Sequence, residues 1–217
     1  IASMKSHGIE FTISSKNIQS KDFSWNTDFI FSKAKNEVTE LNARSSVMDL
    51  VSGYGFARQG YPVRGLFSIP FVGLSSNGIP MYNINGKITS TDIDFQTRDN
   101  IDYLKYEGPT DPTITGSFGN IFTYKAFKLN VFITYSFGNV VRLNPCFNYQ
   151  YSDLSSMPRE FKNRWTVPGD EKHTNIPAII SKRQYEDNKD LMYAYNAYNY
   201  STERIAKGDF IRMKEIS

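Results

Sequence analysis

The chain has 217 residues, enough for one large domain or two small ones, and 40% of them are hydrophobic. No apolar run approaches the ~18 residues of a membrane helix, which excludes a helical membrane protein; a membrane β-barrel stays open, because its alternating strands average out as polar. The net charge of +3 is dispersed without a basic block, so no nucleic-acid partner is indicated, and the single cysteine, Cys146, excludes an internal disulfide scaffold.

The opening residues "IASMKSHG" hold no signal-peptide pattern and run at once into strand-like sequence, so the natural chain is expected to extend upstream. In "GIEFTIS" (Gly8–Ser14), Ile9, Phe11 and Ile13 alternate with Glu10, Thr12 and Ser14. In "FSWNTDFIFSK" (Phe23–Lys33), Phe23, Trp25, Phe29 and Phe31 share one face; Ser24, Asn26, Asp28 and Ser32 share the other, with Ile30 the exception. Period-two alternation marks strands, and the polar "SKNIQSKD" between them suits a hairpin connection. Asn36–Gly60 reads as polar, with a short helical turn at Val47, Leu50 and Val51. Tyr61–Leu74 reads as extended, Pro62 and Pro70 placing it at an edge or bulge, and "SSNGIPMYNINGK" carries two Asn-Gly turn signals.

A second hairpin follows. "TITGSFGNIFTY" (Thr113–Tyr124) is a strand whose Gly116 and Gly119 suggest a bend or bulge, and Lys125-Ala126 is its tight turn. "FKLNVFITYSF" then alternates without a break: Phe127, Leu129, Val131, Ile133, Tyr135 and Phe137 against Lys128, Asn130, Phe132, Thr134 and Ser136. Asn139–Lys207 is the longest irregular region; within it "SMPREFKNRW" predicts a short helix, with Ser156 as N-cap and Pro158 in the first turn. A last strand with imperfect alternation begins at Asp209, "DFIRMKEIS".

Tight turns at one end of the strands and very long connections at the other are unusual in a compact domain. They are the asymmetry of an outer-membrane barrel, whose strands of about 9–11 residues cross the bilayer when tilted. The fold class predicted is therefore all-β: antiparallel strands forming part of a transmembrane β-barrel, with long extracellular loops and a short helix. The competing architecture is a soluble carbohydrate-binding β-sandwich with large insertions, in which the same alternating face would be core; a glycosidase-associated domain is a third class.

Several segments then resemble one family in the order it presents them. "HGIEFTISSKNIQSKDFSWNTDFIFSKAKNEVTEL" is similar to late barrel strands of SusC/RagA-type TonB-dependent outer-membrane transporters, with Glu37 where that family usually has Lys. "GYPVRGLFSIPFVGLSSNGIPMYNINGK", "TGSFGNIFTYKAFKLNVFITYSFGN", "NRWTVPGDEKHTNIPAI" and "STERIAKGDFIRMKEIS" resemble its subsequent segments, the last a C-terminal strand. Asp92–Thr110 and Gln184–Tyr200 match nothing in that pattern. The resemblance implies a receptor of the bacterial outer membrane with a plug and a TonB-box segment, importing glycans or peptides with energy delivered through TonB, and capped outside by a SusD-like lipoprotein. Neither the plug nor the TonB box has a counterpart here. Five to seven strands are legible, fewer than the roughly eight of the smallest membrane barrel, so residues 1–217 are expected to be a C-terminal fragment of a barrel that other strands complete.

Under this reading Phe127, Leu129, Val131, Ile133, Tyr135 and Phe137 face lipid, with Leu129, Val131 and Ile133 on a convex exposed surface. Trp25, Tyr124 and Tyr135 suit interfacial girdles, while Glu10, Asp28 and Lys128 face the lumen. In "MYAYNAYNY", Tyr193, Tyr195, Tyr198 and Tyr200 are candidates for stacking on a sugar ring or contacting a lipoprotein, against the plainer reading of loop packing. Asp170, Glu171 and His173 lie in a sequence that reads as a turn; Asp187, Asn188 and Asp190 lack calcium-loop spacing. Neither a Cys146/His173 dyad nor an Asp92/Asp94 pair is accompanied by a nucleophile motif. No metal, no cofactor and no catalysis are predicted.

Overall fold

Strands that each carry one apolar face pair so that their apolar rows align, because a one-residue slip would turn every side chain over. The computed structural model describes residues 2–54, 57–148, 151 and 156–217. A long hairpin comes first, β1 (Ala2–Gln19) and β2 (Phe23–Leu41). The first connection carries α1 (Val47–Ser52), β3 (Gly65–Ser68), β4 (Phe71–Leu74), β5 (Pro80–Ile84), β6 (Lys87–Thr89) and β7 (Lys105–Pro109). The second hairpin is β8 (Ile114–Tyr124) and β9 (Phe127–Phe137). A second connection carries β10 (Val140–Arg142), α2 (Lys182–Asp187), α3 (Leu191–Asn199) and β11 (Ile205–Lys207), and β12 (Phe210–Ile216) ends the series.

The main sheet is five-stranded and open, in the order β1-β2-β8-β9-β12, every pair antiparallel. Its register places Phe11, Phe31, Gly116 and Tyr135 in one row and Ile13, Phe29, Phe118, Ile133 and Met213 in the next. Among the described residues the sheet has three register shifts, at Ser3/Met4, Lys16/Ile18 and Met213/Glu215, and the last two keep later apolar residues in step. One between Lys16 and Ile18 brings Ile18 opposite Trp25; the other, between Met213 and Glu215, returns Ile216 to the apolar face opposite Val131. The imperfect alternation of the last strand is this bulge.

The glycines of β8 do not make a bulge: the β2–β8 and β8–β9 registers run without a shift. Gly116 instead leaves room for the Tyr135 ring, which crosses β8 so that its hydroxyl donates to the Ile30 carbonyl of β2 at 2.9 Å. The predicted helix at "SMPREFKNRW" is a 3-10 turn over Arg159–Asn163, entered from Pro158 rather than capped by Ser156. A proline at the entry and an extended Arg164 immediately after confine it to that length. Two of the helices start at a serine capping box, Ser46 with Asp49 before α1 and Ser181 with Gln184 before α2, whereas α3 follows Asp190 without a side-chain cap.

The long connections are not the irregular loops that their sequences suggest. They fold together into a cap with its own interior. Val47, Leu50, Val51, Phe67, Ile69, Tyr82, Ile93, Phe95 and Leu104 from the first connection pack with Phe147, Phe161, Ala197 and Tyr198 from the second. A smaller cluster joins Ile79 to Ile180, Ala194 and Tyr195. Backbone bonds stitch the two: Ile69 N–H donates to Tyr200 O at 3.0 Å, and Thr202 N–H donates to Ile69 O at 3.1 Å.

Candidate membrane face and loop cap

One face of the sheet is apolar across all five strands. On β9, Phe127, Leu129, Val131, Ile133, Tyr135 and Phe137 alternate with polar neighbours as their spacing demands, and none of the six belongs to either buried cluster among the described residues. A sandwich core would bury them; Phe127 is 79% and Leu129 45% exposed. Across the sheet the same face carries Phe118 and Phe122 on β8, Trp25, Phe29 and Phe31 on β2, and Ile9, Phe11, Ile13 and Ile18 on β1. Rings meet between strands: Phe11 stacks on Phe31 at 5.1 Å and Trp25 on Phe122 at 5.6 Å.

The polar groups on this face answer one another. Trp25 Nε1 donates to Asn120 Oδ1 at 2.9 Å, Thr27 Oγ1 donates to the same oxygen at 2.8 Å, and Asn17 Nδ2 donates to Thr27 Oγ1 at 2.6 Å. An amide in an apolar setting is costly unless hydrogen-bonded; here Asn120 is tied to its neighbours. Asn17 reaches Thr27 because it is the extra residue of the β1 bulge. Trp25 and Tyr124 stand toward the tight-turn end of the strands, Tyr135 and Phe137 toward the cap.

The opposite face is mostly polar and cross-linked, with Ile30, Ile121, Phe132 and Phe210 among its apolar exceptions. Ser14 Oγ donates to Asp28 Oδ1 at 2.6 Å, Ser32 Oγ to Glu10 Oε1 at 2.9 Å, and Asn130 Nδ2 to Glu215 Oε1 at 3.0 Å.

The four tyrosines of the second connection lie on and just after α3 rather than in an extended loop, and their environments differ. Tyr195 and Tyr198 are buried in the cap. The Tyr195 hydroxyl donates to Ala178 O, while Tyr198 packs edge-on to Phe147 at 4.8 Å and to Phe71 at 5.7 Å. Neither offers a ring to a ligand. Burial pushes both phenols well above their ordinary range, first by desolvation. Tyr200 is half-buried against Phe95 at 6.0 Å. Tyr193 is 39% exposed and lines a shallow depression with Met48, Asp92, Phe95 and Asn196. The alternation of Tyr with small residues gave no hint of this sorting, because helical rather than strand geometry decides which rings turn inward.

A residue that sequence reasoning passed over holds the cap together. Arg142, in β10, donates to Val51 O at 2.9 Å, to Phe67 O at 2.6 Å and Ser68 Oγ at 3.1 Å, and to Ser201 O at 3.2 Å. It thus binds carbonyls of both connections at once. Burial lowers its pKa to about 10, partly offset by Glu107. Arg204, also buried, pairs with Glu160 at 2.6 Å and donates to Asn144 O and to Cys146 Sγ at 3.4 Å. Cys146 is therefore packed against a guanidinium, and burial raises its thiol pKa.

The "VPGDEKHTNIP" segment is a turn held by its acids. Asp170 accepts from Thr166 N–H and hydroxyl, both at 2.9 Å, and from Val167 N–H at 3.1 Å; Glu171 accepts from Gly169 N–H at 2.8 Å and Trp165 Nε1 at 3.1 Å. Asp92 pairs with Lys87 at 2.8 Å, and Asp94 accepts from Gln96 N–H at 2.8 Å. These carboxylates serve local structure. A cavity of about 400 Å³ lies where the sheet meets the cap, lined by residues that include Lys35, Asn36, Arg64 and Asp111.

No family model matches the chain. Among curated proteins, TonB-dependent receptor P3 of Formosa agariphila is 26% identical over 235 residues covering 90% of the chain, and TonB-dependent receptor P39 of the same organism is 24% identical over all of it. Among solved structures, the RagAB peptide transporter superposes on 99% of the chain with a TM-score of 0.68 at 20% identity. The chain is thus similar, over nearly all of its length, to TonB-dependent receptors. A second RagAB structure, an importer in an open-open state, gives a TM-score of 0.66 over the whole chain. These two likenesses show that the chain has the all-β fold of part of the RagA-type barrel. The chain spans 22% and 24% of the lengths of the two receptors and 22% of each RagAB chain.

Proposed function

We propose that residues 1–217 form a C-terminal part of the barrel of a TonB-dependent importer in the bacterial outer membrane. In this reading the chain supplies wall strands and the extracellular cap, and carries out no covalent chemistry. The observation that carries it is the division of one open antiparallel sheet into an apolar face crossing all five strands and a mostly polar, hydrogen-bonded face behind it. Phe127, Leu129, Val131, Ile133, Tyr135 and Phe137 meet lipid, and Glu10, Asp28 and Lys128 look into a hydrated passage. The apolar row of β1 runs from Ile9 to Ile18, the length that a tilted strand of about ten residues needs to cross hydrocarbon. The cap faces outward, where a SusD-like lipoprotein would cover it; a plug and the TonB contact lie in other parts of the protein. The cargo is a glycan or a peptide, and Tyr193 is the tyrosine of the cap placed to touch it or the lipoprotein.

The test uses the full-length protein in vesicles containing brominated lipid, with a fluorescent label at position 129, 133 or 134 in turn. Labels at 129 and 133 are expected to be quenched by the lipid, and the label at 134 by a water-soluble quencher. A soluble monomer in which 129 and 133 are shielded from both quenchers would overturn the assignment. Uptake of labelled oligosaccharides and peptides, with and without TonB, identifies the cargo class.

A further inference from the structure

The β1–β2 hairpin is longer than the apolar band it contains. Its strands have 18 and 19 residues, about 60 Å at roughly 3.3 Å per residue. On the apolar face the pair after Phe11 and Phe31 is Ile9 and Lys33, then His7 and Lys35, then Lys5 and Glu37. The hydrocarbon-like surface thus gives way, at the cap end, to Lys5, Lys33 and Lys35 with His7 among them. All four are exposed. None of the three lysines forms an ion pair among the described residues, although Glu37 stands across from Lys5. Lys33 is paired on both sides, with Ile9 of β1 and Ile114 of β8, so keeping a sheet edge from pairing does not explain it. Residues two apart on a strand lie about 7 Å apart, so the ammonium groups can reach phosphate oxygens of one headgroup together.

We propose that Lys5, Lys33 and Lys35 bind the phosphorylated headgroup of an outer-leaflet lipid whose acyl chains lie on the apolar band directly beneath. The inference rests on the reading of that band as lipid-facing. The occupant follows from continuity and charge: the same strands carry the apolar surface into a cluster of three cations and one carboxylate, which matches an anionic amphiphile. Each lysine near an anionic surface contributes about fivefold in affinity at low salt, so the three together contribute on the order of a hundredfold, declining as salt screens them.

The full-length protein in non-ionic detergent is incubated with diphosphoryl lipid A or with its dephosphorylated form, and retained lipid is quantified after gel filtration. The wild type is expected to retain the phosphorylated lipid. The Lys5→Gln/Lys33→Gln/Lys35→Gln variant should retain it tenfold less or weaker, the dephosphorylated lipid should bind both proteins equally poorly, and added salt should erase the difference. Equal retention by wild type and variant, or indifference to the phosphates, overturns the proposal. Displacement of the lipid by millimolar inorganic phosphate overturns the lipid as occupant. A separate arm measures incorporation of both proteins into phosphatidylcholine vesicles. Incorporation of both leaves the membrane reading intact whatever the headgroup result, whereas failure of the wild type to incorporate removes both.

Discussion

Gly116 stands where three strands are tied by one side chain. A methyl group built there would lie 2.5 Å from Tyr135 Cζ and closer still to the Tyr135 hydroxyl and the Ile30 carbonyl oxygen. Carbon atoms in contact prefer about 3.5–4.0 Å, so Gly116→Ala overlaps by roughly 1 Å with a ring and with the backbone of β2. The ring can swing away, but the carbonyl moves only with its strand. Overpacking of this kind costs about 1–3 kcal/mol, and displacing Tyr135 also loses its 2.9 Å bond to Ile30 O, worth about 1 kcal/mol. The expected loss is about 2–4 kcal/mol. Tyr135→Phe alone loses about 1 kcal/mol, and the double variant should fall short of the sum by about the same amount, because the hydroxyl bond can be lost only once. Urea unfolding of the full-length protein in lipid vesicles, followed by tryptophan fluorescence, measures all four corners of the cycle. Gly116→Ala within about 0.5 kcal/mol of wild type, with strict additivity, would refute the account of Tyr135 as a brace across β8.

Ile133→Arg should cost about 2–4 kcal/mol in the same assay, whereas Thr134→Arg, one residue on and facing the other way, should cost less than about 1 kcal/mol; equal costs would mean that the two faces see the same medium. Arg142→Lys keeps the charge but cannot reach Val51 O, Phe67 O and Ser201 O together, so the cap should lose about 2–4 kcal/mol of protection in amide exchange while the sheet keeps its own. Thr166 N–H, then Val167 N–H and the Thr166 hydroxyl, hold the Asp170 carboxyl below its ordinary pKa. The unfolded turn therefore takes up a proton more readily than the folded one. The stabilisation is complete above the ordinary carboxylate pKa and is lost as pH falls through the lowered value. Exchange of the Thr166 and Val167 amides should quicken over that acid range in the wild type and lose its pH dependence in Asp170→Asn.

The strands of the main sheet are legible because a half-covered sheet imposes a period of two on its sequence. Phe127–Phe137 matches its observed bounds, and the Lys125-Ala126 turn lies where the sequence puts it, with Lys125 at φ 54°. The bulges left a trace as well: Ile18 follows the Ile9, Phe11, Ile13 row out of phase, as Ile216 does after Met213, and each phase slip marks one extra residue. Gly116 misleads because a glycine in a strand signals either a bulge or a close approach, and only the position of Tyr135 two strands from Ile30 decides which. The cap is hardly legible at all. Its buried residues are separated by up to about 150 positions and come from short elements without a sustained period, so Tyr195 and Tyr193 look alike until α3 is turned against Ile79 and Ile180. Arg142 carries no local signal; apart from the Ser68 hydroxyl its partners are carbonyls, which every sequence has.

The cap's interior belongs jointly to two separate stretches of chain. Neither half can be exchanged, shortened or transplanted without orphaning the other, so variation of the outward surface is restricted to matched pairs of insertions or to side chains outside the shared packing, Tyr193 among them. A chimaera that inherits one connection from a relative and the other from this chain would therefore present an intact sheet beneath a collapsed crown.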